Sequence, residues 1–186
     1  IPGYALVTRL DRRDTDGGRG GGILTYVAHN LHVTEHTNES FGQFNQAAGI
    51  EIATNGGPYK LITVYRSPNS TALNNDALLQ LISTNSNGRT VFVGDFNFRQ
   101  IDWVNSRMAE SDRQAENFLD TVTDHFLEQH VDFPTRKNNI LDLVLTTQAA
   151  RITDITDEEI DFEGMISGKY ELVKPQNVGT SLKSNL

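Results

Sequence analysis

Apolar residues recur along this chain in short blocks, and the spacing within each block predicts an element. Tyr4 to Leu10 alternate weakly and predict a strand, and Ile23 to Val27 predict a short buried one. Ile50 to Thr54 and Tyr59 to Tyr65 predict two more strands. They are joined by Asn55-Gly56-Gly57-Pro58, a hairpin signal because Asn and Gly accept the positive φ of tight turns. Helical spacing over 74–84 puts Ala77, Leu78, Leu81 and Ile82 on one inner face, with Asn74 or Asn75 as the cap. Thr90 to Gly94 is an apolar run that predicts a buried strand ending at Asp95. Ser111-Asp112-Arg113-Gln114 has the pattern of a capping box, after which Ala115, Phe118, Leu119, Val122 and Phe126 repeat at helical spacing. Residues 127–131, 141–146 and 151–155 predict further strands, and the tail from Gly164 has little periodicity. Hairpins alternating with helices imply an α+β or layered α/β domain with its helices outside the sheets.

The length, 186 residues, suits one domain or a large piece of one, and 37% hydrophobic residues supply a sizeable core. No cysteine is present, which excludes disulfides, iron–sulfur clusters and thiolate zinc sites. That absence is compatible with a reducing compartment. There is no secretory pattern and no apolar run long enough to cross a bilayer, so the expectation is an intracellular protein, nuclear or cytoplasmic, without a membrane partner. The opening Ile1-Pro2-Gly3-Tyr4 reads as the interior of a longer gene product. A net charge of −8 argues against generic coating of nucleic acid, though not against a local site. Charge is also uneven: Arg9, Arg12, Arg13 and Arg19 cluster early, Arg136-Lys137 sit together, and 154–163 is acidic.

Chemistry concentrates in Val91-Phe92-Val93-Gly94-Asp95-Phe96-Asn97. A buried strand there delivers a glycine, then a carboxylate and a carboxamide two residues apart, on one side in extended geometry. Asp95 can hold Mg²⁺ or orient a water, and the Asn97 amide can bond a phosphate oxygen without adding negative charge. An Asx-type turn is the plainer alternative. Tyr65-Arg66-Ser67-Pro68-Asn69 ends another buried strand and sets a phenol, a guanidinium and an amide at one rim. Ile101-Asp102-Trp103 follows the turn, with Trp103 either packing beneath it or stacking on a base. Phe133-Pro134-Thr135-Arg136 precedes Ile140-Leu141-Asp142-Leu143-Val144-Leu145, where Asp142 in an apolar strand needs a partner, backbone or Arg136 among the candidates. His29, His32 and His36 have helix-like spacing but lie in a polar stretch and read as surface loop residues. The glycines from Gly17 to Gly22 read as a flexible hairpin tip, since no Lys-Ser/Thr ending of a phosphate loop follows.

The order Gly18-Arg19-Gly20-Gly21-Gly22, a strand, Tyr65 to Asn69, a helix, Gly94 to Asn97 with Ile101-Asp102-Trp103, a capped helix, Pro134-Thr135-Arg136, then Leu141 to Thr146 resembles the endonuclease domain of non-LTR retrotransposons, over roughly residues 1–150. That domain belongs to the endonuclease/exonuclease/phosphatase superfamily, the apurinic-endonuclease/DNase-I-like group. The resemblance implies a four-layered α/β/β/α sandwich that cuts phosphodiesters with Mg²⁺ or Mn²⁺. It further implies Tyr65 at the scissile phosphate, Asp95 directing the attacking water and touching the metal, Asn97 steadying the phosphate, and Asp142 orienting a late histidine. Arg66, Asn69, Thr135 and Arg136 would contact substrate, which would be DNA.

Two departures accompany the matches. The family's Asn and metal-binding Glu lie upstream of the Ile1-Pro2-Gly3-Tyr4 position, so the expectation is a domain at 1–155 lacking its first strands. An acidic and polar segment, 156–186, would follow. Absent first strands would leave a sheet edge open to self-association or to a partner strand. All five histidines precede Asp142, and Lys169 and Tyr170 would stand where the family has Asp and His. Tyrosine, with an unperturbed pKa of about 10, cannot replace imidazole as a base near neutrality. Three functions stay open: a metal-dependent nicking endonuclease, a catalytically impaired binding or scaffold module, and a phosphodiesterase acting on a small ester or lipid headgroup. The Tyr65–Asn69, Ile101–Trp103 and Leu141–Thr146 motifs favour the retrotransposon branch over the last.

Overall fold

A computed structural model describes residues 2–11, 22–44, 46–147, 150, 154–156, 169–172 and 180–184. Along the chain run β1 (Tyr4–Asp11), β2 (Gly22–Ala28), β3 (Val33–His36), α1 (Glu39–Gln43), β4 (Ala47–Ile52), β5 (Tyr59–Tyr65), α2 (Ala72–Asn85) and β6 (Thr90–Asp95). There follow β7 (Ile101–Asp102), β8 (Arg107–Met108), α3 (Arg113–Asp124), β9 (Glu128–Gln129), β10 (Asp142–Thr146), β11 (Asp154–Thr156), β12 (Lys169–Leu172) and β13 (Thr180–Ser184).

These strands form a six-stranded sheet in the order β3-β4-β5-β6-β10-β9 and a five-stranded sheet in the order β1-β2-β13-β12-β11. Continuous apolar runs make β5 and β6 the middle of the first sheet: Leu61 to Val64 and Val91 to Val93 are buried on both faces. The two strands are parallel, so a crossover is obligatory, and α2 supplies it. Leu78, Leu81 and Ile82 of α2 and Ala115, Phe118 and Val122 of α3 pack in the same core as the sheet. On β2 the alternation is strict, with Ile23, Thr25 and Val27 buried, and Val27 reaches that core from the second sheet. The architecture is the expected DNase-I-like α+β sandwich.

Several boundaries move for identifiable reasons. Thr71, not Asn74 or Asn75, caps α2, its hydroxyl accepting from Asn74 N at 3.2 Å. The cap of α3 is Asp112 rather than Ser111, because its carboxylate accepts from both Gln114 N and Ala115 N. Phe126 keeps the helical spacing but not the helix. It takes φ +53° just past the last turn, with Leu127 N bonded to Val122 O and Phe126 N to Thr123 O, and stays 71% exposed. The strand expected at 127–131 shortens to two residues, because the Gln129 side chain bonds both Val131 N and Val131 O. The aperiodic tail contributes β12 and β13, and β13 pairs with β2 through Lys183↔Tyr26. The early glycine loop and most of the basic cluster and acidic stretch lie outside the described residues. Arg9 is described, and is paired with Asp11 at 2.9 Å. Among the described residues, no helix is long and apolar enough to cross a membrane.

Candidate active site at the strand ends

Pairing register assembles the site. Tyr65 closes β5 opposite Asp95, and Asp95 closes β6 opposite Asp142, the first residue of β10. Directly opposed residues share a face. The phenol and the two carboxylates therefore stand in one row across three strands. Gly94 permits this approach: a Cβ there would lie 1.9 Å from Val64 O, and its φ is +138°. Only glycine can bring β6 this close to β5.

Asn97 joins the row differently from the extended-strand expectation. The strand stops at Asp95, and Asn97 takes the left-handed φ of +53°. Asparagine tolerates that conformation, which turns its side chain back toward Asp95, where side-chain and backbone hydrogen bonds stabilise the ionised carboxylate. The Asn97 Nδ2 group also donates to Arg66 O at 2.8 Å.

Electrostatics set Asp95 apart. Burial, then the charge of Asp142, push its pKa from 3.8 up to about 7, against the opposing pull of Asn97 and Arg136. Its Oδ1 is buried and meets no hydrogen-bond donor. Asp142 is also raised by burial but is better held, chiefly by Thr135 and then by Arg136. The Thr135 hydroxyl accepts from Leu141 N and Asp142 N, both at 3.0 Å, which leaves its single proton for the Asp142 carboxylate. A carboxyl near 7 beside a second carboxyl is suited to take a proton from water at neutral pH.

The remaining expected residues divide. Arg136 is exposed on a tight turn closed by reciprocal bonds with Asn139, and its charge reaches both carboxylates. Asn69 is exposed on the turn after Arg66. Arg66 is 6% exposed and lies beneath the turn rather than at its surface. Its Nε donates to Asn75 Oδ1 at 2.8 Å, and its Nη1 donates to Phe96 O at 3.2 Å and Asn97 O at 3.1 Å. The guanidinium also sits 3.8 Å from the centre of the Phe98 ring. Trp103 packs edge-on against Phe118, the core role rather than the base-stacking one. No imidazole joins the row. His29 and His32 are exposed, His36 is hydrogen-bonded to Asn85, His125 caps α3, and His130 is hydrogen-bonded to Thr146.

One neighbour was not expected. Tyr65 N donates to Gln46 O at 2.9 Å, which extends the row onto the approach to β4, and Gln46 Oε1 is buried without a donor. No motif marks Gln46, but β4–β5 pairing is symmetric about Asn55-Gly56, so counting back from that turn finds it.

Two raised carboxylates, one with an unmet buried oxygen, fit a divalent cation. Mg²⁺ takes one or two carboxylates and completes its shell with water and phosphate. Among the described residues no group of three acidic, histidine or cysteine side chains could hold a metal. The set fits a cation that arrives with a phosphate better than a preformed cage.

The two-sheet sandwich with a carboxylate pair at the ends of its central strands is shared with the endonuclease/exonuclease/phosphatase superfamily, a class of nucleases and phosphodiesterases. Solved structures share the fold. The endonuclease domain of TRAS1, a telomere-specific non-LTR retrotransposon, is 18% identical over 100% of this chain and 79% of that one, with a TM-score of 0.60. The 3′ phosphatase NExo from Neisseria, solved with a product DNA hairpin, is 15% identical over 99% of this chain and 80% of that one, with a TM-score of 0.50. No curated protein sequence matches. The endonuclease–reverse transcriptase family matches residues 59–164, more than half of the length, and the chain belongs to that family.

Proposed function

We propose that the chain binds DNA across the ends of β5, β6 and β10 and nicks a phosphodiester there with the help of a divalent cation. The observation that supports this most is the row Tyr65–Asp95–Asp142, in which Asp95 is raised to about 7 and has an unmet buried oxygen. Asp95 takes the proton of the attacking water, and its unmet oxygen together with Asp142 would hold the cation. When bound, that cation would supply neutralisation of phosphate charge. Asn97 commits one amide hydrogen to Arg66 O and the other to the Asp95 carboxylate, and the latter passes to a phosphate oxygen when substrate arrives beside Asp95. The Tyr65 hydroxyl donates to the phosphate, and Thr135 holds Asp142 in place. Exposed Arg136 and Lys137 pair with the DNA backbone and offset the net charge of −8 where the backbone lies.

A second reading is a nuclease-derived binding module, favoured by the lack of an imidazole beside Asp142 among the described residues. Nicking of supercoiled plasmid decides between them. Mg²⁺-dependent nicking abolished both by EDTA and by Asp95→Ala supports the enzyme. A folded chain that shifts DNA in a gel but leaves it uncut, at any Mg²⁺ or Mn²⁺ level, supports the module.

A further inference from the structure

We propose that Arg66 is the positioning residue of this site, fixing the Asn97 carboxamide and adding positive potential from beneath the phosphate-binding turn. The inference rests on the nuclease reading above and deepens it.

The hydrogen bonds between the two segments form a closed circuit. Arg66 N donates to Asp95 O at 2.8 Å, so the backbone of Arg66 continues the strand pairing one step past the row. Asn97 Nδ2 donates to Arg66 O, and Arg66 Nη1 donates to Asn97 O and Phe96 O. Each residue holds the other's backbone. Rotation of the Asn97 amide would break its bond to Arg66 O, and a shift of the turn would break both guanidinium bonds. The left-handed φ of Asn97 is thus held from outside the turn as well as tolerated within it.

Structural packing alone explains this arrangement poorly. Burying a guanidinium is costly, and burial lowers the Arg66 pKa to about 10, so it remains a cation at neutral pH. The groups that its guanidinium meets within hydrogen-bond distance are an amide oxygen and two carbonyls, all neutral, while Asp112 and Asp95 act on it through space. A neutral side chain of similar length would fill the same space without that cost. The buried charge has a use where negative charge accumulates, next to Asp95 and the phosphate it would face. Asn75 belongs to the same device: it is 2% exposed inside α2, and its Oδ1 aims the guanidinium through Nε.

The test compares Arg66→Met, Arg66→Lys and a control, Leu81→Ala, which loses core packing in α2 away from the turn. Two readouts are taken on folded protein: plasmid nicking with kcat and KM separated, and the side-chain amide NMR signals of Asn97. Arg66→Met should lower kcat about 10- to 100-fold with KM within threefold, in the range for lost transition-state positioning. It should also collapse the distinct Asn97 amide signals. Arg66→Lys, which keeps charge without the fork, should recover part of kcat but not the Asn97 signals. Leu81→Ala should melt earlier and change neither readout. A parent chain that does not nick defeats the enzymatic reading, while the amide signals still judge Arg66. If the Asn97 signals in Arg66→Met match the parent, Arg66 is only a packing residue.

Discussion

The two ends of β5, β6 and β10 are both polar, yet they handle polar groups in opposite ways. At the far end, Thr147 Oγ1 accepts from Thr90 N at 3.0 Å and donates to Gly88 O at 2.7 Å, Thr90 Oγ1 donates to Asn87 O, and His130 is bonded to Thr146. Three of these four bonds join a neutral hydroxyl to backbone, and the fourth joins an imidazole to a hydroxyl. At the site end, two carboxylates stand opposite each other, both raised, and a buried oxygen of Asp95 meets no donor. Satisfied polar groups stabilise a fold. Like charges forced together and left short of donors weaken it, and they persist where chemistry uses them.

The largest effect that separates the ends comes from adding one methyl group. Gly94→Ala should cost more than about 3 kcal/mol and leave little folded protein, because the new carbon meets the β5 backbone and the φ is unsuited to alanine. Gly88, beyond the far end, has φ +62° but nothing within 4 Å of an added carbon. Gly88→Ala should therefore cost only about 1 kcal/mol. Urea midpoints of the two variants would measure the contrast, and equal losses would mean that β5 and β6 are not pressed together at Gly94.

Asp95→Asn tests the electrostatic half. The folded pKa of Asp95 is raised from 3.8 to about 7, so the fold favours the protonated acid. The stability this represents is present below about pH 4 and is lost as pH rises through 7. Asparagine stays neutral throughout. Relative to the parent, Asp95→Asn should gain nothing at pH 4 and up to about 4 kcal/mol at pH 8, while losing the catalysis proposed for it. Melting temperatures of both proteins between pH 4 and 8 give the answer, and parallel curves would remove the case for a strained carboxyl. Thr147→Val should behave in reverse, costing about 1–3 kcal/mol at every pH by stranding Thr90 N, with DNA binding intact.

Much of this contrast was legible in the sequence. The apolar runs at 61–64 and 91–93 located the central strands, and the motifs Tyr65–Asn69, Gly94–Asn97 and Leu141–Thr146 named the row. What they could not carry was register and depth. Arg66 read as a rim residue in contact with substrate, because nothing local says that the turn folds over it and that Asn75 meets it from α2. Asn97 read either as extended past the strand end or as part of an Asx-type turn, because its left-handed φ depends on bonds to a segment 31 positions away. Gln46 had no signature of its own and is found only through the hairpin symmetry about Asn55-Gly56. The far end was overlooked altogether, since hydroxyls that pair with backbone leave no pattern in composition.

The smallest predicted effect uses a coincidence of backbone angle. Asn97 at the site end and Phe126, where α3 leads into β9 at the far end, both take φ +53°. Phe126 occupies the position after the helix where glycine is usual, and its ring is 71% exposed, so it contributes little packing in exchange for the left-handed strain. Phe126→Gly should stabilise the chain by about 0.5 kcal/mol, the strain relieved slightly exceeding the unfolded-state entropy that glycine adds. Asn97→Gly accepts the same angle but gives up the bond from Nδ2 to Arg66 O and the contact with Asp95, and should lose function without gaining stability. If Phe126→Gly instead destabilises the chain, the exposed ring has a partner that its solvent exposure conceals, and the far end is more than scaffold.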